Sequence, residues 1–270
     1  MDRNAAMREY NTLQWENANG VAKITLDRPD AANSLNLEMA QELMHVAMVC
    51  DQDASIRAVI LTASGKMFCA GGDVLSFHAA GDDIGLLVKD ITACLHSANS
   101  RFARMTAPLI VAVNGTAAGA GFSLAASGDI VLAVEKAKFT MAYTGIGASP
   151  DGGSSVYLPR LIGLRRTQEL MFTNRVLTAQ EALDWGLLTK VVAADDLMSE
   201  AEALANKLAS GPLMAHGKIK ELLLGSYSNT LETQLEIESR CIAKSVSSPE
   251  GREGLRAFAE KRKPDFKSAK

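Results

Sequence analysis

The sequence predicts an α/β fold that ends in a run of helices. Short apolar strands alternate with amphipathic helices up to about residue 192, and only helical patterns follow from Asp195 onward. Strands that alternate with helices are typical of a layered α/β core. We therefore expect a core over residues 1–194 and a helical region over residues 195–270. The short, similarly spaced strands also indicate a repeated strand–strand–helix unit.

The first elements are a β-hairpin and a helix. Asn19-Gly20 lies between two alternating segments and is a strong signal for a hairpin turn. Ser34 or Asn36 caps a helix that continues to about Val49. The elements expected next are a buried strand at 57–61, a Gly-rich turn at 66–74 and a long helix at 84–105.

The stretch from Pro108 to Gly128 is the centre of the predicted site. Its apolar run at 109–113 predicts a buried strand, Asn114-Gly115 a turn, and the residues from Gly119 onward a packed helix. A helix that starts at a tight turn leaves backbone N–H groups free. These groups attract an anion or a developing oxyanion.

Several interpretations of this stretch remain open. A dinucleotide fingerprint requires a third small residue where Leu124 stands. A serine-hydrolase elbow requires G-x-S-x-G, but the segment around Ser123 ends in Ala125 and no clear Asp/His pair follows. An oxyanion hole made of backbone N–H groups needs only small residues and the turn. Close helix–strand packing would also explain the glycines.

The second half of the chain continues the alternation. A capping box at Thr178 and Glu181 predicts a helix start. The other expected features are a strand at 129–134, an irregular Gly-rich region at 139–150, a helix at 161–172, a strand at 188–192, and helix breaks at Gly211-Pro212 and Ser248-Pro249.

Composition excludes several functional classes. The net charge of −3 argues against a nucleic-acid partner. Four scattered cysteines and an N-terminus without an apolar segment predict a reduced, cytoplasmic protein without a signal peptide. No His/Asp/Glu cluster has metal-ligand spacing, so no metal is expected. The uncharged segment 105–128 is broken by polar residues and glycines, which favours a buried core over a membrane span.

Six segments together resemble the crotonase family, also called the enoyl-CoA hydratase/isomerase superfamily. They occur in the family's order and cover the chain from about residue 13. They are ITLDRPDAANSLN (24–36), AVILTASGKMFCAGGDV (58–74), PLIVAVNGTAAGAGFSLAASGDIVLA (108–133), KFTMAYTGIGASPDGGSSVYLPRLIG (138–163), LTAQEALDWGLLTKVV (177–192) and FAEKRKPDF (258–266).

The resemblance implies a spiral of strand–strand–helix repeats, with C-terminal helices that build homotrimers or homohexamers. It implies an acyl-coenzyme A thioester as substrate, with coenzyme A as part of that substrate and no separate cofactor. Two backbone N–H groups would hold the thioester oxygen, and on this chain they would belong to Ala70 and Ala120. The coenzyme A contacts would fall on Arg28, Ala32, Leu35, Lys66, Asp73, Phe258 and Lys261, the last two often from a neighbouring subunit.

The departures from the family pattern concern the acid–base groups. Family hydratases use two glutamates to add water, and this chain has Ser123 and Tyr143 at those positions. Water addition is therefore not expected. Tyr143 is expected to line the acyl pocket.

Asp151, in Ser-Pro-Asp-Gly-Gly, is the acid that remains in this region. The motif resembles the epoxide and double-bond isomerase branch of the family that is associated with phenylacetyl-CoA breakdown. One carboxylate suffices for a 1,3 proton shift, because it can return to one carbon the proton it takes from another. Taken alone, Pro-Asp-Gly is a common structural turn.

His96 supports an alternative. The 4-chlorobenzoyl-CoA dehalogenase branch pairs an Asp nucleophile at the Asp151 position with a His on the preceding helix, and His96 lies at a matching distance. That branch has Trp where Tyr143 stands. A third possibility is an inactive acyl-CoA-binding member. The sequence does not identify the acyl group of the substrate.

Overall fold

The computed structural model describes residues 9–269. Its strands are β1 (Leu13–Ala18), β2 (Val21–Leu26), β3 (Ala58–Ala63), β4 (Met67–Cys69), β5 (Leu109–Val113), β6 (Thr116–Ala118), β7 (Ile130–Val134), β8 (Lys138–Thr140), β9 (Leu177–Thr178) and β10 (Lys190–Val192).

Its helices are α1 (Leu37–Gln52), α2 (Val74–Ala79), α3 (Ile84–Arg104), α4 (Ala120–Ala126), α5 (Ser154–Ile162), α6 (Leu164–Thr173), α7 (Ala179–Asp184), α8 (Leu197–Ala209), α9 (Leu213–Gly225), α10 (Leu231–Ser247) and α11 (Pro249–Ala259).

Two sheets form the core. The larger sheet has the order β1-β2-β3-β5-β7-β10, and all of its pairs except the β1–β2 hairpin are parallel. The smaller sheet has the order β4-β6-β8-β9, with β4, β6 and β8 parallel to one another. β3 and β5 are buried along their whole lengths, as is usual for central strands of a parallel sheet.

The chain alternates between the two sheets as a spiral. In each repeat a strand of the larger sheet is followed by a strand of the smaller sheet and then by a helix, as in β3-β4-α2, β5-β6-α4 and β7-β8-α5. The predicted strand–strand–helix unit is confirmed. Most strands of the smaller sheet are not predicted from the sequence, because strands of two or three residues are too short to show an alternation of apolar and polar residues.

Helix α4 packs unusually close to the smaller sheet. All seven of its residues are buried. Gly119, which precedes the helix, has φ +52° and ψ −126°, a conformation that only glycine adopts readily. At Gly121, a Cβ would lie 2.4 Å from the carbonyl oxygen of Cys69, so close approach of helix and strand requires glycine there.

Local signals predicted several element boundaries. The Asn19-Gly20 turn has positive φ at both residues, as a type I′ hairpin turn requires. Asn36, one of the two proposed caps, accepts a hydrogen bond from the Met39 N–H at 2.9 Å. The predicted capping box at Thr178 is also formed. The helix expected at 161–172 is instead two helices, α5 and α6, because Gly163 adopts φ +80° between them.

The C-terminal helices are tied to the core by buried charged groups. α8 packs against the larger sheet. On α9, the Lys220 ammonium donates to the carbonyl oxygens of Phe102 and Ala107 and to Asp129 Oδ2, at 2.7, 3.1 and 2.6 Å. The division predicted at residue 194 stays a prediction.

In residues 9–269, no helix is long and apolar enough to cross a membrane.

Substitution of Gly121 by alanine is expected to destabilise the protein by about 1–3 kcal/mol, because the new methyl group would overlap the Cys69 carbonyl. Gly85, in α3, is the matched control: no atom lies within 4 Å of the position its Cβ would take. Gly85→Ala should stabilise the protein by about 0.5–1 kcal/mol, because alanine favours a helix. Urea denaturation measures both. Equal effects of the two substitutions would contradict the close packing.

Candidate active site

The predicted site residues come together at one edge of the smaller sheet. β4, β6 and β8 are parallel, so their carboxyl ends lie side by side. The segments that follow them carry Gly72, Ala120 and Tyr143 respectively. The two Gly-rich turns are in direct contact, since a Cβ on Gly71 would lie 3.4 Å from the backbone nitrogen of Ala120.

In the Gly-rich turn after β4, the N–H group that is free to bind a ligand is not the expected one of Ala70. The Ala70 N–H donates to the Ala32 carbonyl oxygen at 3.0 Å, so it is already used within the protein. The assignment of Ala70 as an oxyanion donor is therefore wrong for this structure. Leu35 N–H donates to Gly71 O, and Asp73 N–H donates to Leu35 O. This parallel bridge turns the backbone groups of the intervening Gly72 away from Leu35.

Two N–H groups remain for a ligand at this edge. Among residues 9–269, no acceptor is paired with the N–H of Gly72 or with that of Ala120. Ala120 is the first residue of α4, where a helix has unpaired N–H groups. The choice between Ala70 and Gly72 depends on which way each peptide faces, and this orientation cannot be read from sequence.

Asp151 lies in a compact polar cluster. Its Oδ1 accepts a hydrogen bond from the Tyr143 hydroxyl at 2.6 Å. The Tyr143 hydroxyl also lies 3.1 Å from Ser123 Oγ, on α4. Burial of the phenol, reinforced by the negative charge of Asp151, raises the pKa of Tyr143. The phenol therefore stays protonated and donates to the carboxylate.

The second oxygen of Asp151 faces His96. His96 Nε2, on α3, lies 3.4 Å from Asp151 Oδ2. The same nitrogen accepts the backbone N–H of Gly152 at 3.2 Å. Asp151 is partly exposed, with 26% of its side-chain surface accessible, and His96 is half exposed. A ligand approaching from solvent can therefore reach the carboxylate.

The backbone of Gly152 packs against Ser123. A Cβ on Gly152 would lie 2.8 Å from the Ser123 Cβ, and Ser123 is almost fully buried. A longer side chain at position 123 would have to extend past the Pro-Asp-Gly turn. Serine leaves room for the turn that carries Asp151.

Comparison with known proteins identifies the family of this chain. The model of the enoyl-CoA hydratase/isomerase family matches residues 16–269. The chain belongs to the enoyl-CoA hydratase/isomerase family. It is 38% identical to the 1,2-epoxyphenylacetyl-CoA isomerase of Escherichia coli (strain K12) over 251 residues, which are 92% of this chain and 95% of that protein.

Solved enoyl-CoA hydratases share the fold. The enzyme from Polaromonas sp. JS666 matches with a TM-score of 0.89 and 34% identity, covering 93% of this chain and 98% of that one. The enzyme from Bacillus anthracis matches with a TM-score of 0.89 and 33% identity, covering 95% and 99%. The crotonase resemblance and its spiral fold are thus confirmed.

The residues expected to bind coenzyme A are engaged with one another in this family member. Arg28 forms an ion pair with Asp73 at 3.1 Å, and Asp73 Oδ1 also caps α2 by accepting the Ser76 N–H. Leu35 is fully buried and both of its backbone polar groups are used, so it holds the turn and has no surface for a ligand. The expectation that Leu35 contacts coenzyme A is corrected accordingly.

The remaining expected contacts are spread over the surface. Lys66 is exposed, and Ala32 is partly exposed in the left-handed region at φ +52°. Phe258 is 86% exposed, and Lys261 follows it just beyond the end of α11, a helix that packs principally against α10. The role of these residues toward coenzyme A stays a prediction.

The raised pKa of Tyr143 can be checked by titrating phenol absorbance. Up to about pH 11, Tyr143→Phe should leave the absorbance change of the folded protein unaltered, because an ordinary tyrosine ionises near pH 10 and Tyr143 does so later. In guanidinium chloride, where the chain is unfolded, the same variant should lose one of the four titrating tyrosines. Loss of one tyrosine's signal from the folded protein would contradict the buried, Asp151-bound phenol.

Proposed function

We propose that this protein is an acyl-CoA double-bond isomerase that shifts a proton with a single carboxylate, Asp151. The observation that carries the proposal is the hydrogen bond from Tyr143 to Asp151 Oδ1, in a cluster where Ser123 and Tyr143 occupy the positions of the hydratase glutamates. The substrate is a 3-enoyl-CoA thioester, and the product is the conjugated 2-enoyl-CoA.

The two oxygens of Asp151 have separate roles. Oδ1 is held by the Tyr143 hydroxyl, which fixes the orientation of the carboxylate. Oδ2 has no such neutral donor and is the oxygen that takes the proton from the α-carbon of the acyl group. The protonated carboxyl then returns this proton to the γ-carbon. Asp151 is thus base in the first half of the reaction and acid in the second.

The charge that develops in the reaction is on the thioester oxygen. Removal of the α-proton gives a dienolate, whose oxygen needs hydrogen-bond donors. The N–H groups of Gly72 and Ala120 supply two donors from adjacent turns, and the N-terminal end of α4 favours negative charge. Each donor of this kind is typically worth roughly 10²–10³ in rate.

Water addition is disfavoured by the side chains at the site. Hydration needs one group to activate water and another to deliver a proton. Ser123 is nearly fully buried and Tyr143 keeps its proton, so neither supplies a second base at neutral pH. Several relatives bear hydratase names. The proposal of an isomerase rests on the residues of this chain, which has no carboxylate at positions 123 and 143.

A dehalogenase-like or other hydrolytic reaction is the second candidate. It is supported by His96, whose Nε2 lies 3.4 Å from Asp151 Oδ2. In such a reaction Asp151 would attack the substrate and His96 would activate water. The hydrogen bond from Gly152 to the same nitrogen opposes this role, because it occupies the lone pair that would take the proton from water. A catalytically inactive acyl-CoA-binding protein is the third candidate.

Replacement of Asp151 by asparagine should lower the turnover of a 3-enoyl-CoA by at least about 10³-fold, because the proton carrier is lost. The affinity for a saturated acyl-CoA, measured by calorimetry, should stay within about threefold, since one partly exposed carboxylate contributes little to binding the thioester. Asp195→Asn, at an exposed position far along the chain, is the control and should keep full turnover.

Three outcomes would overturn the proposal. Unchanged turnover in Asp151→Asn would exclude the single-carboxylate mechanism. Faster conversion of a 2-enoyl-CoA with water than of a 3-enoyl-CoA would make the protein a hydratase. Tight thioester binding without turnover of any substrate would favour the inactive member.

The C-terminal helices support self-association. Large apolar side chains are more than half exposed on α9, on α10 and between them: Ile219, Leu223, Tyr227, Leu231, Leu235 and Ile242. Exposed apolar surfaces of this kind mark interaction sites. The partner we propose is a second copy of this chain, in a homotrimer or homohexamer.

Light scattering after gel filtration should give a mass three or six times the 28.7 kDa of one chain. The double substitution Leu235→Lys and Ile242→Lys should lower this mass, because it places charges on the apolar surface. A monomeric wild-type protein at micromolar concentration would contradict the assembly.

The cysteines support the expected cytoplasmic location. Cys50, Cys69, Cys94 and Cys241 are all free thiols, as is usual in a reducing compartment. Burial raises the pKa of both Cys50 and Cys69 to about 12, so these thiols are unreactive.

A further inference from the structure

Gly152, the residue after Asp151, is held by two side chains of α3. Its N–H donates to His96 Nε2 at 3.2 Å, and its carbonyl oxygen accepts from Asn99 Nδ2 at 3.0 Å. His96 and Asn99 are three residues apart, so they project from the same face of the helix. The backbone N–H and carbonyl of Gly152 are thus both fixed from outside the turn.

This arrangement restrains a segment that contains two consecutive glycines. Gly152 and Gly153 both have positive φ, at +64° and +89°, and glycines in sequence give a chain many accessible conformations. Within the turn, Ser154 bonds only to the Asp151 carbonyl, which lies upstream of Gly152. Without the α3 side chains, the position of Asp151 would depend on the Tyr143 hydrogen bond and on packing against Ser123.

The hydrogen bond defines the state of the His96 ring. A nitrogen that accepts an N–H must present its lone pair, so the neutral ring carries its proton on Nδ1. In this state Nε2 cannot also donate to Asp151 Oδ2, which is 3.4 Å away. A protonated ring has no acceptor: it would release Gly152 and donate to Asp151 instead.

We propose that His96 and Asn99 form a clamp on Gly152 that positions Asp151 for proton transfer, and that protonation of His96 opens the clamp. The inference rests on the proposed isomerase function. His96 and Asn99 are positioning residues, because they act on the catalytic carboxylate through the backbone of its neighbour. Displacement of a reacting group by about 1 Å can cost about 100-fold in rate.

The charged and titratable groups around the ring come from the turn at Asp151, the segment after β8, and helices α5, α3 and α1. Asp151 faces Nε2 from the turn, with Tyr143 bonded to its other oxygen. Tyr157 of α5 and Arg104 of α3 line the same cavity of about 280 Å³ as His96 and Asn99. On the α1 side of α3, Asp51 is paired with Arg101. Asp151 is the acidic group within reach of a protonated His96.

The test compares substitutions at His96 that differ in hydrogen-bonding ability. His96→Gln keeps an acceptor at the position of Nε2 and should retain turnover within about threefold. His96→Leu removes the acceptor and should lower kcat about 10- to 100-fold, with little change in KM, because the thioester contacts are untouched. Asn99→Ala should have a similar effect, and Ser100→Ala, an exposed neighbour on α3, should behave as wild type.

The pH profile separates positioning from a general loss of structure. In the wild type, kcat should fall when acidification protonates the His96 ring, because an imidazolium has no lone pair to accept the Gly152 N–H. His96→Gln has no such group and should lose this limb of the profile while keeping its activity. Equal turnover of His96→Leu, His96→Gln and wild type would overturn the clamp, as would an unchanged pH profile in His96→Gln.

The NMR signal of the Gly152 amide tests the clamp without any measurement of catalysis. The NMR shift of the Gly152 amide should change with pH in the wild type and not in His96→Gln, even if Asp151→Asn shows that the isomerase proposal is wrong. A Gly152 amide that does not follow pH in the wild type would refute the clamp alone. Thermal unfolding of each variant identifies any that fail to fold, and Asn99→Ala then tests the other half of the clamp.

Discussion

The parallel pairing of β4, β6 and β8 is the constraint on which the site depends. Because the three strands run in the same direction, the segments that leave their carboxyl ends are placed next to one another. The smaller sheet can bring these segments together only if α4 packs close to it. Gly121 permits this close packing, because it leaves space for the Cys69 carbonyl. A structural requirement for close packing and a chemical requirement for free N–H groups are therefore met by the same glycine-rich turns.

The identity of the reaction depends on side chains placed around this shared backbone. In the proposed reaction the Gly-rich turns hold the oxygen of a thioester enolate. Any reaction through such an intermediate could use the same turns, so they do not distinguish one chemistry from another. Ser123 and Tyr143 remove two carboxylates, and the space that Ser123 leaves is filled by the backbone of the Gly152 turn. This turn also carries Asp151. The orientation of its carboxylate is fixed by Tyr143, the residue that stands at the position of a family glutamate. The absence of the two glutamates and the placement of the single carboxylate of Asp151 are thus geometrically linked.

Much of this was predictable from sequence, and the failures have physical causes. The hairpin at Asn19-Gly20 and the cap at Asn36 depend on local backbone chemistry, which sequence encodes directly. The family motif predicts Asp151 as the acid of the site. The motif does not predict that the Tyr143 hydroxyl contacts Asp151, because the turn between these two residues sets their relative position. The exchange of Ala70 for Gly72 has the same origin: the Ala70 N–H is taken by the Ala32 carbonyl oxygen, whereas the bridge to Leu35 leaves the Gly72 N–H free, and both contacts come from a distant segment of the chain.

In the proposed reaction one carboxylate carries the same proton from the α- to the γ-carbon. The most direct measurement follows deuterium in a single turnover of a 3-enoyl-CoA labelled at the α-carbon, in ordinary water. We expect part of the label to appear at the γ-carbon of the product, and Asp151→Asn to abolish both the transfer and the turnover. A γ-carbon hydrogen derived entirely from solvent, with product formation intact in Asp151→Asn, would contradict it.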